Sequence, residues 1–196
     1  RVSQVLWVGS QSQMEPTLLK GFDLIYQAIP AAGLHGVGFL SLPGNFVKLA
    51  RGWRASSQLI KQFKPHVIFY TGGYIGIPMA LAAGSIRSVV FIPDIEPGSA
   101  HQMLIRKASS VAVSTDTSKD MIHTDAEIIV TGYPVRKELL QWKRAKAREH
   151  FIIPTNDKVL LVFGGSKGAQ SINRALAQHL EDLLQDLHII HISGVD

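Results

Sequence analysis

Short apolar runs alternate with amphipathic stretches along this chain. Val5–Val8, Asp23–Ala28, His66–Tyr70, Ser88–Ile92, Ser110–Ser114 and Ile128–Val130 are branched or aromatic and read as strands. Met14–Lys20, Pro43–Lys64, Ile77–Ala83 and Ala100–Ala108 carry helical spacing between them. Alternating strand and helix, with short connections, predict an α/β fold with a mainly parallel sheet covered on both faces. The rhythm changes at Thr131-Gly132-Tyr133-Pro134, where proline forces its predecessor extended, and a highly charged helix is expected from Arg136 to about Phe151. After Pro154–Asp157 a fresh strand (Val159–Phe163), helix (Gln170–Leu184) and strand (His188–His191) follow. The expected division is therefore a domain over 1–133, a linker helix over 134–156 and the start of a second α/β domain over 157–196.

Composition narrows the class. Of the 196 residues, 46% are hydrophobic and 18% charged, so the chain buries a core rather than staying disordered. No apolar run reaches the ~18 residues that span a bilayer. Cysteine is absent, which removes disulfides and thiolate metal sites, and the histidines have no metal-ligand spacing. The chain opens on Arg1, almost directly on a strand, and both ends read as cut from something longer. A net charge of +5 points to an anionic partner. Nucleic acid is disfavoured, because no sheet interleaves aromatic and basic residues and no reading helix is recognisable.

Three glycine-bearing strand ends could carry chemistry. In Phe163-Gly164-Gly165-Ser166-Lys167-Gly168-Ala169, glycines remove Cβ atoms where a ligand would touch backbone, and free amides at the helix start favour an anion. A diphosphate held by amides and the Ser166 hydroxyl is one reading; a plain glycine-tight turn is the other. The spacing fits neither the dinucleotide fingerprint nor the Walker loop. At Tyr70-Thr71-Gly72-Gly73-Tyr74 the paired glycines put amides at the mouth of an α/β crevice, with Tyr74 either a hydroxyl donor or a packing aromatic. At Ile92-Pro93-Asp94-Ile95-Glu96-Pro97-Gly98, Asp94 or Glu96 could act as a general base if desolvated, or cap the following helix. His101 could face the same space, and Arg136 could fork onto a phosphate or stand as a surface charge. Phe46, Leu49, Trp53, Ile60 and Phe63 fall near one helical face flanked by Lys48, Arg51, Arg54, Lys61 and Lys64. That pattern suits an anionic membrane surface, and equally a helix packed on the sheet.

Taken in order, strand-Gly-Gly-Tyr, the acidic loop, Gly-x-Pro-Val-Arg, Gly-Gly-Ser-x-Gly-Ala-x-x-x-Asn and a strand ending His-x-Ser-Gly resemble the MurG-type glycosyltransferases over nearly the whole chain. The resemblance implies a GT-B architecture of two Rossmann-like domains. It implies transfer of N-acetylglucosamine from UDP-N-acetylglucosamine to a lipid-linked muramoyl-pentapeptide (lipid I), giving lipid II for peptidoglycan, without metal or cofactor. It assigns Gly164, Gly165, Ser166, Gly168, Asn173 and Arg136 to the donor, and Gly72, Gly73, Tyr74 and His101 to the acceptor side. Phe46, Trp53, Arg51 and Arg54 fall to membrane contact, on a cytoplasmic protein peripheral to the inner face of the plasma membrane. Where the family reads His-Glu-Gln-Asn this chain has Phe91-Ile92-Pro93-Asp94, so Asp94 or Glu96 must replace the usual Glu, or the acceptor differs. The family's amino-terminal glycine-rich loop is missing. A diacylglycerol-type lipid glycosyltransferase and a non-catalytic nucleotide-sugar-binding subunit are the competing readings.

Overall fold

The computed structural model describes residues 4–10, 15–31, 42–165 and 168–194, with the side chains of 15, 17 and 42–46 excepted. The chain forms two compact units, dividing between Pro134 and Val135.

In the first unit, β1 (Leu6–Gly9) pairs in parallel with β2 (Ile25–Ala28), with α1 (Glu15–Leu18) between them in sequence. A four-stranded parallel sheet follows in chain order: β3 (Val67–Tyr70), β4 (Arg87–Ile92), β5 (Ser110–Val113) and β6 (Glu127–Val130). α2 (Leu42–Phe63) leads into β3, while α3 (Gly76–Ala82) and α4 (Ser99–Ile105) connect β3 to β4 and β4 to β5. A 3-10 turn over Asp116–Met121, not anticipated from periodicity, joins β5 to β6.

Register places Ile68, Tyr70, Ser88, Val90, Ile92, Val111 and Val113 on one sheet face. That face is the core, closed by Met79 and Ala80 of α3 and Leu104 and Ile105 of α4, with Ala55, Leu59 and Ile60 of α2 against it. The opposite face carries Val67, Phe69 and Ile129, all exposed. Ala112 on that face is buried and the Phe91 ring meets Tyr133 edge-on, so among the described residues the second face is covered only in part. Neighbouring strands taken in sequence order and joined by right-handed crossovers put every connecting helix on the same side.

The stripe along α2 also differs from the periodicity reading. Gly52 and Ser56 are buried there, whereas Trp53 is half exposed. Gly52 has no side chain to hold the helix away from the Pro30 carbonyl and the Pro78 ring. Close approach at Gly52 turns Leu49, Ala50 and Trp53 aside, where with Leu81 of α3 they line a shallow apolar depression.

The second unit holds α5 (Arg144–His150), β7 (Lys158–Phe163), α6 (Gln170–Gln178), α7 (Leu180–Leu183) and β8 (Leu187–Ile192), with β7 parallel to β8. Two expected long helices are broken. Residues 136–151 form a 3-10 turn (Lys137–Gln141) and α5, separated by extended Trp142 and Lys143. The turn lays the Trp142 ring near Lys146 and His150, at 5.5 and 5.6 Å between Nζ or ring centroid and its own. Residues 170–184 break at His179, ahead of Glu181 and Asp182, whose carboxylates suit the amino end of a new helix. The anticipated linker belongs to the second unit, because Arg148 of α5 donates to the carbonyls of Pro154 and Asp157 at the start of β7.

α5 ends in a two-bond reverse turn: Ile152 N–H donates to Glu149 and Ile153 N–H to Arg148. The residue between must be left-handed, and Ile152, β-branched and exposed, sits at φ 55°. Ile152→Gly should raise the urea midpoint, gaining about 1 kcal/mol with an unchanged denaturant slope.

Tyr70 lies in the core with its hydroxyl unpartnered among the described residues, and burial pushes its phenol up to about 12 from 10.0. The folded state holds this proton more tightly than the unfolded one, so its contribution is intact below pH 10 and fades as pH rises towards 12. Tyr70→Phe should remove that alkaline loss, and at neutral pH it should cost nothing or stabilise by up to ~1 kcal/mol in urea titrations.

Candidate functional site

Side chains with possible chemistry gather at the carboxyl ends of strands, where parallel sheets present their ligand crevices. In the first unit β3 runs into Gly72 and Gly73, both left-handed at φ 107° and 77°. The chain reverses there, and Gly76 N–H donates to the Gly73 carbonyl as α3 begins. A Cβ on Gly72 would lie 2.5 Å from His101 Nε2, so the imidazole of α4 rests directly against this turn. The Nε2 atom is buried and has no hydrogen-bond partner among the described residues. Tyr74 stands partly exposed beside it. Gly72, Gly73, Tyr74 and His101, separate in sequence, thus share one strand end.

The acidic loop between β4 and α4 is held by its backbone. Ser114 Oγ donates to the Pro93 carbonyl at 2.8 Å, and the fully buried Ser118 donates to the Asp94 carbonyl at 3.3 Å. Gln102 Nε2 reaches the Pro97 carbonyl at 3.3 Å. The Asp94 and Glu96 side chains are exposed, so this unit does not desolvate either carboxylate. Neither caps α4, whose N-cap Gly98 has no side-chain hydrogen bond. Ser114 and Ser118 were not singled out from the sequence; their role depends on β5 and its following turn passing behind the loop.

In the second unit β7 ends at Gly164, Gly165 and Gly168 before α6. Gly165 and Gly168 are left-handed, at φ 86° and 74°, and Gly168 N–H donates to the Gly165 carbonyl at 3.1 Å. Side chains are excluded by close contact at two points. A Cβ on Gly164 would lie 2.5 Å from that of Ala169, and one on Gly168 would overlap the Ser193 carbonyl oxygen. Ser166 falls outside the described residues. Asn173, one turn into α6, donates through Nδ2 to the Ser193 carbonyl at 2.9 Å, which makes it a support of the turn. His191, given no chemistry in the sequence reading, lies 2.9 Å from Asn173 Oδ1. The His-x-Ser-Gly ending of β8 was its only signal. His188 instead meets Asp157 Oδ2 at 2.7 Å. Arg136 is exposed at the start of the 3-10 turn of this unit.

On α2, Arg51, Arg54 and Trp53 are exposed beside the Leu49–Leu81 depression; the Phe46 side chain lies outside the described residues. A second depression shares Leu81 and runs to Met103 of α4 and to Arg106 and Lys107 just past its end. No helix among the described residues is long and apolar enough to cross a membrane.

Known proteins supply the remaining context. The Roseiflexus sp. (strain RS-1) UDP-N-acetylglucosamine--N-acetylmuramyl-(pentapeptide) pyrophosphoryl-undecaprenol N-acetylglucosamine transferase is 38% identical over 209 residues, covering 96% of this chain and 48% of its own. The Desulforudis audaxviator protein of the same description is 38% identical over 177 residues, covering 89% and 47%. The chain spans about half the length of these curated relatives. Among solved structures, Acinetobacter baumannii MurG superposes with a TM-score of 0.62 at 20% identity, covering 98% of this chain and 58% of that one. A Rickettsia africae glycosyltransferase gives 0.64 at 11%, covering 96% and 60%. A Neisseria meningitidis UDP-GlcNAc 2-epimerase bound to UDP-GlcNAc gives 0.59 at 16%, covering 99% and 65%. At such identities the neighbours establish the fold alone, α/β of the GT-B type. Residues 1–113 match the glycosyltransferase family 28 N-terminal domain, and the chain belongs to that family.

Proposed function

We propose that the protein containing this chain is an inverting glycosyltransferase that moves N-acetylglucosamine from UDP-N-acetylglucosamine to lipid I, forming lipid II. The observation that carries this reading is 38% identity, over 96% of the chain, to a relative described as that transferase. The two glycine turns fit a division of labour. Amides around Gly164, Gly165 and Gly168 at the start of α6, with the Ser166 hydroxyl, hold the donor diphosphate, and Arg136 approaches it with a guanidinium fork. Gly72, Gly73, Tyr74 and His101 form the acceptor side.

The chemistry is a single displacement. Asp94 or Glu96 takes the proton from the acceptor hydroxyl as its oxygen attacks the anomeric carbon. The bond from that carbon to the β-phosphate oxygen breaks, and UDP leaves with the electron pair, stabilised by the amides and the positive end of α6. Both carboxylates are exposed in this unit, so bound acceptor has to supply the desolvation that would make one an effective base. Leu49, Trp53 and Leu81, with exposed Arg51 and Arg54 on the same helix and Arg106 and Lys107 lining the adjoining depression, suit contact with an anionic membrane surface. Peripheral attachment on the inner face of the plasma membrane follows from a lipid-linked acceptor.

A second acceptor class has one specific observation behind it: Phe91-Ile92-Pro93-Asp94 stands in place of the family's His-Glu-Gln-Asn. A diacylglycerol-type acceptor would fit that apolar replacement, and radiolabelled UDP-sugar offered with lipid I or diacylglycerol separates the two. In calorimetric titration of the full-length protein with UDP-N-acetylglucosamine, Ser166→Ala should weaken binding by ~1–2 kcal/mol. Asp94→Asn should spare binding and remove turnover; full activity in that variant would leave Glu96 as the base. The 196-residue chain by itself should transfer no sugar.

A further inference from the structure

The polar contacts around Asn173 single out a residue that the proposed transfer does not otherwise use. Asn173 presents one amide atom to each of two neighbours: Nδ2 to the Ser193 carbonyl at 2.9 Å, and Oδ1 to His191 Nε2 at 2.9 Å. A carbonyl oxygen can only accept, so Nδ2 must be the atom facing Ser193. The atom facing His191 is then Oδ1, also an acceptor, and His191 must carry its proton on Nε2. Flipping the amide would set oxygen against oxygen at one end. The Ser193 carbonyl therefore fixes which way the amide faces, and His191 Nε2–H holds the amide oxygen in that place.

That orientation reaches the glycine turn. The Ser193 carbonyl held by Asn173 is the atom that a Cβ on Gly168 would overlap, so it lies directly on the Gly168 backbone. On the other side Gly164 is closed against Ala169. Parallel pairing of Val162 with His191 and of Phe163 with Ile192 brings the end of β8 beside the last residues before the turn. The turn is thus clasped between the start of α6 and the segment after β8, and the Asn173 amide is the polar link across that clasp.

We propose that His191 is a positioning residue. By donating from Nε2 to Asn173 it keeps the Ser193 carbonyl seated on Gly168, and so holds Gly168 in place at the start of α6, beside the proposed diphosphate site. The binding consequence rests on the donor reading above, whereas the clasp itself does not.

The test separates the two. His191→Phe keeps a flat ring without a donor, and His191→Gln restores an N–H near the Nε2 position. In the isotope-labelled 196-residue chain, His191→Phe should shift the Asn173 side-chain amide resonances and speed hydrogen exchange at the Gly168 amide, and His191→Gln should reverse both. In the full-length protein, the dissociation constant for uridine diphosphate should rise about three- to tenfold in His191→Phe and recover in His191→Gln. Unchanged Asn173 resonances in His191→Phe would overturn the proposal. Weaker binding in Ser166→Ala but not in His191→Phe would also overturn it, while leaving the diphosphate site standing. Indifference of binding to both variants would sink the diphosphate reading, and the positioning role with it.

Discussion

A parallel strand that passes straight into a helix leaves its last carbonyls and the helix's first amides facing the same small space. Whatever occupies that space must approach the main chain, and a Cβ atom would hold it off. This steric limit recurs at Gly72 and at Gly168. In one case the imidazole of His101 fills the place a side chain would take; in the other the Ser193 carbonyl does. Left-handed φ angles at Gly72, Gly73, Gly165 and Gly168 complete the two reversals. The candidate chemistry of both units hangs on these turns, since they decide where amides and neighbouring side chains point.

The surrounding architecture serves the turns by simple means. Sequential parallel strands put α2, α3 and α4 on one side of the first sheet, and the buried stripe through Val90, Ile92, Val111 and Val113 fixes their height against it. α4 then delivers His101 to the end of β3, and the chain after β5 delivers Ser114 and Ser118 to the back of the acidic loop. Gly52 lets α2 sink against Pro30 and Pro78, which rolls Trp53 outward among basic residues. A helix that periodicity alone would bury on one face thereby offers an apolar, cationic flank.

Fold and chemistry part company here. The same GT-B arrangement superposes on glycosyltransferases and on a UDP-GlcNAc 2-epimerase, at TM-scores from 0.59 to 0.64. A shared backbone therefore indicates a common fold, not a common reaction. Any discrimination has to be argued from particular side chains at the turns and the acidic loop, not from the backbone they share.

Strand order and both glycine turns were legible along the chain, because each is encoded locally. Apolar runs fix strands such as Lys158–Phe163, and only glycine adopts those left-handed reversals without strain. The breaks at Trp142 and His179 were not legible, since neither carries glycine or proline. Nor could spacing show that Trp53 turns outward, that Ser118 holds the loop of Asp94, or that His191 meets Asn173. Those facts depend on which elements come side by side, and pairing between β7 and β8 brings together atoms that no local pattern relates. Sequence thus determined the elements and the places where backbone is laid bare; tertiary packing decided which side chains stand beside it, because hydrogen bonds and close contacts form between neighbours in space.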